Sequence, residues 1–259
     1  MRMSLIAALA LVLCATPLWA HYLWVNVDNY HPKPGQEITI SLGWGHLFPN
    51  SPPPKADRIE KLYIVSPEGK IMPLEVKPGG EEGRVAPVKV RLEKEGTYLV
   101  VAEPKSGFVA KTTRGYVRGK TKKELKNVIR CFWSESCALA VINVGEAFTD
   151  TYKKAPERRY QLVLLENPVK LKVNDILPVK VMLDGKPHRT WVYATYSGFS
   201  SKKDTFAYAT RTSKEGVAEI KLLKEGIWLV KASDKLPYPN LDEADEFSFT
   251  YTITFEVKR

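Results

Sequence analysis

Histidine is the residue type whose placement suggests chemistry. Only four occur in the 259 residues, and three of them, His21, His31 and His46, crowd the region just after an apolar leader. If the leader is cut after Ala20, His21 becomes the first residue of the mature chain. Its free α-amine and its Nδ1 can then close one chelate ring on a metal ion, which an internal histidine cannot do. The unperturbed amine has a pKa near 8 and imidazole one near 6.5, so both give up their protons to a divalent ion at neutral pH. A third nitrogen from His46 would complete the T-shaped arrangement called a histidine brace. Three nitrogens suit Cu(II) or Ni(II) better than Mg or Ca. His46 follows an apolar run in Gly43-Trp44-Gly45-His46-Leu47-Phe48-Pro49, where glycines permit close approach and Pro49 stiffens the exit. His31 lies in a Pro-rich turn and, with Asp28, is a weaker candidate for a fourth ligand. The competing possibility is that the terminal histidine is incidental and His46 only hydrogen-bonds a loop.

The elements that must position these residues are β-strands. Residues 1–20 read as a signal peptide: Arg2 supplies a positive start, Leu5 to Leu13 is apolar, and Leu18-Trp19-Ala20 ends in a small residue. The run is too short to span a bilayer. Cys14 raises a lipoprotein alternative, but Leu13 stands where a lipobox has Gly, Ala or Ser. The expected location is therefore periplasmic or secreted. Beyond it, short β-branched and aromatic runs alternate with turn clusters such as Pro32-Lys33-Pro34-Gly35 and Ser66-Pro67-Glu68-Gly69. Lys94-Glu95-Gly96-Thr97-Tyr98-Leu99-Val100 is echoed by Lys224-Glu225-Gly226-Ile227-Trp228-Leu229-Val230. The expected fold is all-β, with an N-terminal β-sandwich domain over 21–104 and a C-terminal Ig-like domain over 161–259. Pairing within a sandwich would set the strand ending at His46 beside the one beginning at His21.

Residues 105–160 are expected to be a basic connecting segment. The chain carries 39 Lys and Arg against 29 Asp and Glu, a formal net charge of +10. One positive charge leaves with the signal peptide, and residues 105–130 hold nine Lys or Arg against Glu124 alone, which accounts for most of the remainder. An exported protein meets no nucleic acid, so this stretch is expected to be solvated or to meet anionic lipid or an acidic partner. It would repel a metal cation and is therefore expected to lie away from His21 and His46; placement against them weighs against metal capture. Thr121 and Glu124 form a capping-box pattern that predicts a short helix over 122–130. The acidic run Asp242, Glu243, Asp245 and Glu246 is expected to be a solvated loop. Loss of Cys14 leaves Cys131 and Cys137, an even pair that predicts a disulfide in an oxidising compartment.

No nucleophile elbow, phosphate-cradling Gly-rich loop, Cys-x-x-Cys or His-Glu-x-x-His occurs, so the chain is not expected to be an enzyme. Three classes stay open. One is a carrier of nickel or cobalt, or of copper. Another is a copper oxygenase using the same brace on a β-sandwich. The last is an adhesion or carbohydrate-binding module without metal, with Trp44, Trp133 and Trp191 stacking on sugars.

Ala20-His21-Tyr22-Leu23-Trp24, Lys33-Pro34-Gly35-Gln36 and Gly45-His46-Leu47-Phe48-Pro49 resemble the family catalogued as domain of unknown function 4198. So do Glu166-Asn167-Pro168, Leu183-Asp184-Gly185-Lys186-Pro187, Thr195-Tyr196-Ser197-Gly198-Phe199 and Gly226-Ile227-Trp228-Leu229-Val230-Lys231-Ala232. The resemblance implies a periplasmic, β-rich protein associated with nickel and cobalt uptake through a membrane permease of the energy-coupling-factor type. It also implies that His21 and His46 contact the metal. Val173-Asn174-Asp175 departs from the family pattern at a turn, and His188 stands where an apolar residue is commoner.

Overall fold

The computed structural model describes residues 21–80 and 82–259, so the expected signal peptide and Cys14 lie outside the described residues. The strands of the first half are β1 (Tyr22–Val27), β2 (Gln36–Gly45), β3 (Ile59–Val65), β4 (Ile71–Pro73), β5 (Pro78–Gly79), β6 (Arg84–Val85), β7 (Val88–Leu92) and β8 (Gly96–Pro104). They are followed by β9 (Gly107–Thr112), β10 (Gly115–Arg118), β11 (Val128–Val144) and β12 (Tyr160–Leu164). The chain closes with β13 (Ile176–Leu183), β14 (Lys186–Pro187), β15 (Trp191–Tyr196), β16 (Tyr208–Arg211), β17 (Val217–Lys221), β18 (Gly226–Pro237) and β19 (Glu246–Val257). The fold is all-β, and among the described residues no helix is long and apolar enough to cross a membrane.

One ten-stranded sheet runs through the molecule in the order β16-β15-β18-β19-β11-β8-β3-β4, with β9 also paired to β11 and β10 to β9. A smaller sheet, β1-β2-β7, packs on one face, and β12-β13-β14 with β17 packs on the other. Strand alternation explains how one sheet serves two cores. On β8 and β11, Val100, Ala102, Ala138, Ala140 and Ile142 face β1 and β2, while Leu99, Val101, Leu139 and Val141 face β12 and β13. Such a strand must be apolar along its length, and every residue of β8 is buried.

The expected sandwich-like packing is present, but its two cores lie on opposite faces of a shared sheet. Residues 105–160, expected to connect two domains, instead supply β9, β10 and β11, and β11 pairs with β8 and, in parallel, with β19. The helix expected over 122–130 is one 3-10 turn, Lys122–Glu124. Its capping box forms, with the Glu124 carboxylate accepting the Thr121 N–H at 2.7 Å, but the strand begins at Val128. Apolar contacts made by β11 outweigh a local helix start worth about a kcal/mol.

The expected disulfide is also corrected. Cys131 and Cys137 are free, buried and six residues apart on the same strand. At about 3.3 Å rise per residue their Cα atoms are roughly 20 Å apart, against about 4.4–6.8 Å for a bridged pair.

The edge of the small sheet is closed by side chains. Thr252 and Thr254 of β19 donate to the carbonyl oxygens of Leu23 and Val25 at 2.6 and 2.7 Å, so β1 leaves fewer bare acceptors for a foreign strand. Beyond Tyr22 the small sheet ends, and the face of β11 and β19 that it covered opens into a cleft.

Candidate metal centre

The β1–β2 register pairs Tyr22 with Gly45, Leu23 with Trp44 and Trp24 with Gly43. Continued by one residue, it sets His21 opposite His46, and the two rings lie with centroids 4.5 Å apart at 54°. Glycine makes this register possible: a Cβ on Gly43 would sit 2.2 Å from the buried Trp24 indole, and one on Gly45 would sit 2.3 Å from Ser51 Oγ. Ser51 Oγ accepts the Leu47 N–H at 3.1 Å and donates to the Leu47 carbonyl at 3.2 Å, holding the turn that carries His46.

Asp204, which the sequence did not single out, fixes the His46 ring. Its carboxylate lies 3.0 Å from His46 Nδ1, and its backbone N–H donates to the His46 carbonyl at 2.9 Å. The residue adopts a left-handed backbone at φ 51°, which Asp tolerates better than most residues. With Nδ1 engaged, Nε2 is the nitrogen left to bind an ion, the pattern by which carboxylates orient metal-bound histidines. The only sequence signal for Asp204 is a lone acid in the polar run Ser200 to Thr205. Burial holds the His21 imidazole below its usual value; His46, Arg58 and Lys203 add to this, and Asp204 opposes it. A neutral imidazole presents the lone pair that a metal needs.

The structure brings His21 and His46 together and sets His31 and Asp28 apart from them. Both lie beyond the far end of β1, about 20 Å away along the strand. Asp28 accepts the Thr39 N–H at 2.8 Å, and the His31 Nε2 lies 3.7 Å from Glu256. Neither can complete a shell around His21 and His46. His188, which stands where the family more often has an apolar residue, is part-buried and bonded to Asp234 at 2.6 Å. Among the described residues no group of three or more His, Cys, Asp and Glu converges as metal ligands. The donor set at this end is thus two imidazoles, and the third nitrogen is the amine that cleavage after Ala20 would free.

The histidines stand at the rim of a cleft of about 410 Å³. Its floor is the uncovered face of β11 and β19, where Ser134 pairs with Ser248 and Ser136 with Thr250. Trp44, Val109 and Phe132 form apolar walls, and Arg58, Lys111, Arg118, Arg130 and Lys235 bring positive charge. The basic stretch expected to lie away from His21 and His46 therefore shares their cleft, which corrects that expectation and weighs against capture of a bare cation there. Part of it is neutralised by the acidic run read as a solvated loop: Lys122 pairs with Asp245 at 2.5 Å, Lys123 with Glu243 at 3.0 Å, and Arg130 with Glu246. Among the described residues, Arg58, Lys111 and Arg118 have no carboxylate within ion-pair distance.

The tryptophans proposed to stack on sugars do not form one platform. Trp44 faces the cleft, Trp191 is exposed on β15, and Trp133 lies on the opposite face of β11, edge-on to Phe108 at 4.9 Å.

Residues 18–235 match the family described as "Domain of unknown function (DUF4198)". No curated protein matches the chain by sequence. Among solved structures, the D0-D1 domain of intimin is 15% identical, with 89% of this chain and 96% of that one covered and a TM-score of 0.24. A Salmonella alpha-2-macroglobulin reacted with methylamine is 13% identical over 92% of this chain and 15% of its own, with a TM-score of 0.25. Fibronectin(III)-like modules of Clostridium thermocellum CbhA are 12% identical over 90% and 94%, with a TM-score of 0.20. Likenesses this distant carry nothing into the chemistry of the cleft.

Proposed function

This chain belongs to the DUF4198 family, and we propose that it is a periplasmic protein that binds a divalent transition metal, nickel or cobalt, and delivers it to a membrane uptake system. The observation that carries this is the 4.5 Å approach of the His21 and His46 rings, with His46 Nδ1 held by Asp204. In the processed chain His21 would offer its amine and imidazole, and His46 its Nε2. Three nitrogens leave coordination positions for water, so the ion stays exchangeable, as a delivery protein requires. The chain is not proposed to be an enzyme.

Copper is the second reading, because Cu(II) heads the affinity order at any such nitrogen site. Nickel and cobalt are preferred on the family resemblance, together with an uptake permease as partner. Calorimetric titration of protein beginning at His21 should give one site for Ni(II). Affinity should fall at least tenfold in His46→Ala and in protein carrying one extra residue before His21. Unchanged affinity in both would sink the proposal, and oxidised oligosaccharides formed with copper and reductant would favour an oxygenase instead.

A further inference from the structure

The cationic cleft is what a pair of metal-binding imidazoles does not by itself explain. Arg58, Lys111 and Arg118 line the cleft with no carboxylate within ion-pair distance among the described residues, beside the residues proposed to hold a cation. Like charges oppose one another most where water is partly excluded, so a bare hydrated dication is disfavoured here. A cleft built this way favours an anion. Guanidinium groups present planar forks that match carboxylates in bidentate geometry. The floor adds hydroxyls: Ser134, Ser136, Ser248 and Thr250 share one face of paired strands and open into the same space. Trp44 and Phe132 wall it with apolar surface, which strengthens polar contacts made between them. About 410 Å³ suits a small organic molecule rather than a macromolecular segment.

We infer that the cleft takes a small carboxylate-rich anion, with Arg58 and Arg118 as its counter-charges, and that the metal arrives as the complex of such an anion rather than as the bare ion. The second half of this inference rests on the metal reading above; the anion site does not. Carboxylates also ligate nickel and cobalt. One molecule can therefore face the arginines with some oxygens and the metal at His21 and His46 with others, turning the charge around the histidines from an obstacle into the recognition element. A phosphate would satisfy the arginines equally well, so it belongs in the test.

The test is calorimetry on protein beginning at His21, titrated with nickel chloride, sodium citrate, nickel citrate and potassium phosphate, with Arg118→Ala and Arg58→Ala/Arg118→Ala as variants. Nickel citrate should bind at least tenfold more tightly than nickel chloride. The variants should erase that gain while binding nickel chloride as well as, or better than, the parent. Citrate alone should bind, lose at least tenfold in the variants, and weaken with added salt. The anion site is overturned if citrate adds nothing over nickel chloride or if its gain survives in the double variant. The carboxylate assignment is overturned if phosphate binds as tightly and is lost in the same variants. Arg118-dependent citrate binding in a chain that ignores nickel chloride and nickel citrate alike would leave the anion site standing and bring down the metal reading. Unchanged thermal midpoints would show that the variants fold.

Discussion

Asp204 decides how His46 presents itself. A carboxylate on Nδ1 fixes the ring, and losing such a partner typically costs about 10–100-fold in metal affinity. Asp204→Asn keeps an acceptor without the charge, so nickel affinity should fall by about tenfold while the fold is retained, as competition against a chromogenic chelator would measure. His31 has a different task. Burial, with Lys258 adding to it and Glu256 opposing it, brings its imidazole down to about 4. An unfolded chain takes up that proton near pH 6.5, so the native chain binds fewer protons between pH 6.5 and 4. The stability this group confers is present above pH 6.5 and lost as pH falls toward 4, on the order of 3 kcal/mol. Urea unfolding at pH 7 and 4.5 should show a smaller loss in His31→Gln than in the parent; equal losses would contradict the assignment. The histidine pair was legible in the sequence because a histidine directly after an apolar leader and a Gly-flanked one are distinctive. Asp204 and Arg58 were not, because an acid beside Lys202 and Lys203 and a base beside Asp57 look like any solvated charge.

The pairing of β1 with β2 delivers the histidines, and Gly43 is its most constrained point. A methyl group there meets the Trp24 indole, which is fully buried, so Gly43→Ala should destabilise the protein by about 1–3 kcal/mol and shift the urea midpoint downward. It should also weaken nickel binding, because the register that opposes His21 to His46 depends on the same contact. Strand runs such as Tyr22-Leu23-Trp24-Val25-Asn26-Val27 were readable from composition alone. Val128 to Val144 was misread because its first half carries charge and a good capping box precedes it, while its partners β8 and β19 are distant in sequence. For the same reason Cys131 and Cys137 looked like a bridge: six residues are close along the chain but far apart when the chain is extended.

Across the whole molecule, the ten-stranded sheet makes the two halves one structure, with β8 and β11 lying under both cores. The internal echo was visible in sequence; the sharing was not, because alternation within β8 and β11 gives each core half of an unbroken apolar run. The same sheet carries the cleft floor, so His21 and His46, the hydroxyl floor and the basic residues line one cleft. The excess charge, expected on a separate connector, collects beside the histidines and bears on the form in which a metal can enter.

Electron paramagnetic resonance of Cu(II)-loaded protein beginning at His21, with nitrogen couplings resolved by pulsed methods, reads the donor set directly. Two imidazoles and one amine should bind the ion, with one imidazole lost in His46→Ala and the amine lost when a residue precedes His21. A spectrum indifferent to both changes would contradict the metal centre described above.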